Sequence, residues 1–197
     1  LISLIVLAAG KSTRFGENKL LYKLGDRTVI ERVVESALGS QADEVFLVLG
    51  YEAERLKRKV SGTGCRFIYN RNFEEGQSSS IKTGLASVAR NSKAVLIMPG
   101  DIASISSQSI DKVIEEYRRT RDPILVAAHR GKLGHPILFD KSLFHEIAQI
   151  NEETQGLKAI VKKYRTQINK VEVGSKEVLL DLDARDDLDK FSRSSTF

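Results

Sequence analysis

Short uninterrupted oily runs recur along the chain, separated by stretches whose apolar residues fall three or four apart. Residues 3–8 (SLIVLA) form one such run. The pattern is that of a strand buried on both faces. Residues 44–49 (EVFLVL), 66–69 (RFIY), 94–98 (AVLIM) and 124–128 (ILVAA) repeat it. Between them, residues 28–38, 52–60, 78–90 and 107–120 carry helical spacing. Thr28 reads as an N-cap, with Glu31 three residues on. Buried strands alternating with helices predict an α/β architecture, with a mostly parallel sheet and helices on both faces. After residue 130 the rhythm changes. A loop (RGKLGHP) leads to a short strand near 137–139, helices near 142–149 and 156–164, strands near 168–173 and 177–180, and a last helix near 185–191. No linker rich in Pro, Gly or Ser interrupts the chain. Residues 1–197 therefore read as a single domain, with 131–197 elaborating the unit formed by 1–130.

Composition narrows the class. Of 197 residues, 41% are hydrophobic and 29% charged, which excludes a disordered chain. No apolar stretch is long enough to span a bilayer, and no signal-peptide cleavage pattern follows the first run, so the expected location is the cytoplasm, away from membranes. The single cysteine, Cys65, leaves no disulfide framework and no Cys-rich zinc site. The net charge of +5 fits an anionic ligand, but the basic residues are scattered. With no zinc finger and no basic run interleaved with aromatics, a nucleic-acid partner is not expected.

In an open α/β sheet, ligands bind beyond the carboxyl ends of the strands, so the residues just past each strand matter most. After the first come Ala8, Ala9, Gly10, Lys11, Ser12, Thr13, Arg14, Phe15 and Gly16. Small residues let a backbone approach a ligand, and successive amides in such a turn make an anion concavity. Arg14 and Lys19 add fixed positive charge. The stretch is neither a P-loop nor a GxGxxG fingerprint, yet an oily strand, small residues and two cations together favour a phosphate-binding turn over an ordinary one.

Pro99-Gly100-Asp101 comes directly after the 94–98 run. An Asp there is placed to hold Mg²⁺ or, read alone, to cap the next turn. Asp181 and Asp183 end VLLDLD, where one is a second metal ligand or a helix N-cap. Gly76-Gln77-Ser78-Ser79-Ser80 opens a helix and either binds a ribose, base or phosphate or only caps. His135, in Gly134-His135-Pro136, either meets a ligand or packs. His129 and His145 have no evident partner, and Cys65 reads as core.

LAAGKSTRFGENKLL, residues 7–21, resembles the signature LAAGxSxRFGxxKLL of nucleotidyltransferases that act on the molybdenum cofactor. The resemblance is closest to the cytidylyltransferase branch. The guanylyltransferase branch has LAGG and an Asp before the Lys, where this chain has Ala9 and Asn18. GQSSSIKTG (76–84), PGD (99–101), GHPILF (134–139) and DLDARDDL (181–188) succeed one another in family order, so the resemblance covers nearly the whole chain. It implies a Rossmann-like three-layer nucleotidyltransferase fold, and transfer of CMP from CTP to the phosphate of molybdenum-loaded molybdopterin with release of pyrophosphate.

Carried over residue by residue, Leu7, Ala8, Ala9, Gly10, Lys11, Ser12, Ser79, Ser80 and Gly100 border the nucleotide. Arg14 and Lys19 neutralise its β- and γ-phosphates, and Asp101 binds Mg²⁺ with Asp183 as its partner. Gly134, His135, Pro136 and Lys158 border the pterin side. Residues 1–130 thus make the nucleotide-binding part, and 131–197 the acceptor side with the second metal ligand. A molybdenum hydroxylase or its maturation factor is the implied transient partner.

Departures from the family pattern leave the nucleotide half of the site intact and bear on the acceptor half. Ala103 stands where Pro is usual, Thr154 where Asp is usual, and DLDARDDL replaces DIDTPEDL. A phosphate monoester is already largely ionised at neutral pH, its second pKa being about 6, so no strong general base is required. The absence of a His triad or a catalytic Cys is consistent with that chemistry. The competing readings are a guanylyltransferase for the same cofactor, a transferase for a sugar or polyol phosphate, and a non-catalytic module that binds and delivers the cofactor.

Overall fold

The computed structural model describes residues 1–88 and 92–179, without the side chain of Arg14. In chain order the elements are β1 (Ile2–Ala8), β2 (Lys23–Leu24), β3 (Arg27–Thr28), α1 (Val29–Leu38), β4 (Glu44–Leu49), α2 (Ala53–Val60), β5 (Arg66–Tyr69) and α3 (Gln77–Ala86). They continue as β6 (Ala94–Pro99), α4 (Ser107–Thr120), β7 (Ile124–His129), β8 (Lys132–Asp140), α5 (Phe144–Ile147), α6 (Leu157–Lys163) and β9 (Ile168–Glu172).

Seven strands make one sheet in the order β5-β4-β1-β6-β8-β7-β9, and β2 and β3 pair separately. Among the described residues, only β8 runs antiparallel to its neighbours in the large sheet. Both faces are covered. On one, Leu4 and Val6 of β1 pack with Val33 of α1, Leu56 of α2 and Ile110 of α4. On the other, Ile5 and Val48 pack with Ile81 of α3, Ile147 of α5 and Ile160 of α6. This two-sided burial is why β1 reads as an unbroken oily run. Gly84 lets α3 lie close to the sheet, since a Cβ there would stand 2.9 Å from Ile5 Cγ2.

Helix α1 begins as its sequence predicts, with Glu31 accepting from the Thr28 amide at 2.6 Å and from its hydroxyl at 2.5 Å. Three expectations need correction. The short strand near 137–139 is the second half of a nine-residue strand, β8. Its first half mixes Lys132, Leu133, Gly134 and His135 and is not fully buried, so hydrophobic patterning gives no clear signal there, and the β7–β8 turn places Arg130 and Gly131 both at positive φ, as a tight hairpin requires. The helix expected at 142–149 divides into a 3₁₀ turn, Lys141–Leu143, and the single turn of α5. The strand expected at 177–180 is a 3₁₀ turn, Lys176–Leu179, which tucks Val178 into the core. The Val178 carbonyl lies 2.1 Å from where a Cβ on Gly134 would be, so only glycine admits this crossing. The expected helix at 185–191, with Asp181 and Asp183, lies outside the described residues.

Candidate active site

Strands β1 and β6 are parallel neighbours, so their carboxyl ends finish side by side, with Leu7 in register with Pro99. The Gly100 amide donates to the Leu7 carbonyl at 2.8 Å, and a Cβ on Gly100 would stand 2.8 Å from that oxygen. Glycine is therefore required to bring the Asp101 turn against the end of β1. Beyond this seam lies a cleft of about 460 Å³. Leu7, Ala8, Ala9, Gly10, Lys11, Ser12, Lys19, Ser80, Gly100 and Asp101 all line it, so most of the expected nucleotide-side residues converge.

Lys19 is placed by a buried cap. The Asn18 side chain accepts from the Leu20 amide at 3.2 Å and starts the turn Lys19–Leu21. From that turn the Lys19 ammonium donates to Asp101 Oδ2. Lys11 pairs with Glu74 across the cleft mouth and lies 5.8 Å from the Phe73 ring centroid. Arg14 belongs to the turn Thr13–Phe15, and its side chain is outside the described residues.

Ser79 departs from its expected position. Its hydroxyl donates within the turn that opens α3, where the Asn72 carbonyl lies at 2.8 Å and the Gly76 carbonyl at 2.9 Å, and accepts from Asn70 Nδ2 at 2.8 Å. Ser79 lines neither cleft and organises the start of the helix. Phe73, Glu74, Gly76 and Gln77 close the far wall of the cleft. The sequence gives no sign of residues 73 and 74, because they come from a short irregular turn with no motif of its own.

A second, larger cleft of about 1300 Å³ opens on the other side of α3. Gly134, His135 and Lys158 line it as expected, whereas Pro136 does not. Lys162, Arg165 and Lys170 also line it, over an apolar floor that includes Ile97, Val126 and Ile137. Burial holds the His135 imidazole below its ordinary pKa, against an upward pull from Asp101. Burial thus favours the neutral imidazole, and its Nδ1 is buried without a hydrogen-bond partner among the described residues.

Leu7, Gln77, Pro99 and Asp101 line both clefts, which therefore meet at Asp101. Its side chain is 14% exposed, and Oδ1 is buried without a hydrogen-bond partner among the described residues. An unpaired carboxylate oxygen between two anion-receiving clefts suits a hard cation, which takes oxygen ligands. No group of three metal-ligating side chains occurs among the described residues, and substrate phosphates can supply further oxygen ligands to such a site. The arrangement can hold a triphosphate against backbone amides and Lys19, and bring a second anionic group up from the other side. Such an arrangement suits phosphoryl chemistry, in which positioning and charge stabilisation do most of the catalysis.

The profile of the MobA-like NTP transferase domain matches residues 4–168. Over 187 residues the chain is 25% identical to the molybdenum cofactor cytidylyltransferase of Escherichia coli (strain K12), covering 94% of this chain and 93% of that protein. Among solved structures, Rv0371c from Mycobacterium tuberculosis H37Rv superposes with a TM-score of 0.87 at 26% identity, covering 98% of this chain and 97% of that one. Rv0371C in complex with manganese gives a TM-score of 0.83 at 25% identity, covering 98% of each chain.

Proposed function

The chain belongs to the MobA-like NTP transferase family and is a nucleotidyltransferase, and from that premise we propose that it transfers CMP from CTP to the phosphate of molybdenum-loaded molybdopterin, releasing pyrophosphate. The observation that carries the reading is the meeting of the two clefts at Asp101. A nucleotide in the smaller cleft and an anionic acceptor in the larger one can meet along the boundary the clefts share, formed by Leu7, Gln77, Pro99 and Asp101. Ala9 in the LAAG stretch and the similarity to the Escherichia coli cytidylyltransferase support cytosine over guanine.

In this reading the amides of residues 8–12 cradle the triphosphate, and Lys19 leaves Asp101 to neutralise charge that develops on the departing pyrophosphate. Arg14 shares that role. Asp101 and Asp183 would hold Mg²⁺, which would offset phosphate charge. Lys158 and the cations beside it receive the acceptor, whose ionised phosphate attacks the α-phosphorus without help from a base. His135, neutral and buried, lends the acceptor side a hydrogen-bonding nitrogen rather than a charge. The product passes to a molybdenum hydroxylase or its maturation factor.

The test is pyrophosphate release with Mg²⁺ and molybdenum-loaded molybdopterin, with CTP, GTP, ATP and UTP in separate reactions. Release with CTP alone is expected. Release with GTP alone would move the protein to the guanylyl branch. Nucleotide binding without release in any reaction would overturn the acceptor assignment, in favour of a sugar or polyol phosphate or a delivery role.

A further inference from the structure

The start of α3 forms part of the wall of the larger cleft, and one of its first amides is already engaged. The Ser78 N–H donates to Glu152 Oε1 at 2.6 Å, across 74 positions of sequence. Glu152 reaches it from a loop closed on itself, where the Gly156 amide donates to the Asn151 carbonyl at 2.9 Å. The fit is close on both sides. A Cβ on Gly76 would stand 2.5 Å from Glu152 Cγ, and one on Gly156 would stand 2.9 Å from Ser78 Oγ.

The engagement is incomplete. Ser78 is 3% exposed, yet among the described residues its hydroxyl has no hydrogen-bond partner, although Ser78 and Glu152 both line the cleft. A buried hydroxyl left unpaired is costly. The carboxylate satisfies the amide and leaves the hydroxyl orphaned. A phosphate brings three strong acceptor oxygens, enough for amide and hydroxyl together. The partial positive charge at the start of a helix favours an anion at this point. Glu152 is itself an exposed residue, so its bond exchanges readily with solvent or solute. Lys158, Lys162, Arg165 and Lys170 line the same cleft and draw anions into it.

We propose that the amide and hydroxyl of Ser78 form an anion site for the phosphate of the acceptor, and that Glu152 is the resident carboxylate that fills this site in the free protein and leaves when the acceptor binds. The proposal rests on the reading of the protein as a nucleotidyltransferase with a phosphate-bearing acceptor.

Inorganic phosphate is the probe. The ¹⁵N-labelled protein is titrated while the amide resonances of Gln77 and Ser78 are monitored. In Glu152→Ala these resonances are expected to move with a midpoint about tenfold lower than in the unsubstituted protein, the size of one charge-assisted hydrogen bond removed from competition. Adding Ser78→Ala should return most of that gain. Glu152→Gln keeps the stem and an acceptor oxygen without the charge. It should give an intermediate midpoint, and it carries the test if the alanine variant does not fold. Equal midpoints in all variants, or movements confined to the surroundings of Lys11 and Lys19, would overturn the site. The titration contains neither nucleotide nor pterin. A tighter midpoint in a protein that releases no pyrophosphate refutes the cytidylyl reading alone, and the reverse pair of results refutes the anion site alone.

Discussion

Asp101 carries two unlike oxygens, and the difference defines its chemistry. One accepts from Lys19, and the other is buried without a partner. Asp101→Asn keeps the volume and an acceptor for Lys19 but removes the charge. We expect turnover to fall by about 10³-fold, at the upper end of what loss of one preorganised electrostatic group costs, with a thermal midpoint close to that of the unsubstituted protein. Near-normal pyrophosphate release in the presence of Mg²⁺ would remove Asp101 from the metal role. Lys19→Ala should raise the CTP concentration needed for half-maximal rate and slow the reaction, and unchanged kinetics would exclude Lys19 from the site. Lys19 is legible from its place in the KLL signature. The orphaned oxygen of Asp101 is not, because it depends on what surrounds the carboxylate in three dimensions.

At the level of elements, helix α4 is tied to strand β8 by one buried tyrosine. The Tyr117 hydroxyl donates to Asp140 Oδ2 at 2.6 Å, with the Lys93 carbonyl 2.9 Å away. Burial, together with the Asp140 carboxylate, pushes the Tyr117 hydroxyl up to about 12. Burial alone would raise the Asp140 carboxyl, but the hydrogen bonds from Tyr117 and Ser142 outweigh it and hold it below its ordinary value. Linkage fixes the sign of each effect on stability. The depressed Asp140 contributes stability above the unfolded carboxyl value of about 4, and this is lost as pH falls through the lower folded value. The raised Tyr117 contributes stability below about pH 10, and this is lost as pH rises through its folded value. Tyr117→Phe should therefore cost about 1.5–3 kcal/mol at neutral pH, the range for a hydrogen bond to a charged group. The gap from the unsubstituted protein, read from urea midpoints, should narrow at pH 3. A gap independent of pH would show that the two groups are not coupled. The helical period of α4 places Tyr117 on the buried face in the sequence, but its partner Asp140 ends β8, 23 positions away, and no local pattern shows that the two meet.

For the molecule as a whole, the consequence of the sheet order is two clefts with one shared wall. Charge divides between them unevenly, with Lys158, Lys162, Arg165 and Lys170 all on the larger cleft. Lys158→Ala and Arg165→Ala should each raise the acceptor KM about tenfold, as expected for one lost charge-assisted contact, and leave CTP affinity by calorimetry unchanged. Parallel loss of CTP affinity would mean that the two clefts bind one ligand. Lys158 is marked in the sequence by a family stretch, while Arg165 and Lys170 belong to no motif there. They become candidates only because α6 and β9 pack onto the same opening as His135.

What the sequence determined by itself is whatever is written in nearest neighbours and periods. Oily runs without alternation dictate parallel strands buried on both faces, and Thr28 with Glu31 dictates where α1 starts. The small residues after β1 mark where a backbone approaches a ligand. Tertiary structure alone decided which distant groups meet. It set Lys19 against Asp101, Glu152 against the Ser78 amide, and the hydroxyl of Ser79 into a turn instead of a site. The reason is physical. Local propensity and burial depend on a residue and its near neighbours in the chain, whereas hydrogen bonds and ion pairs between loops depend on where separate strands end in space.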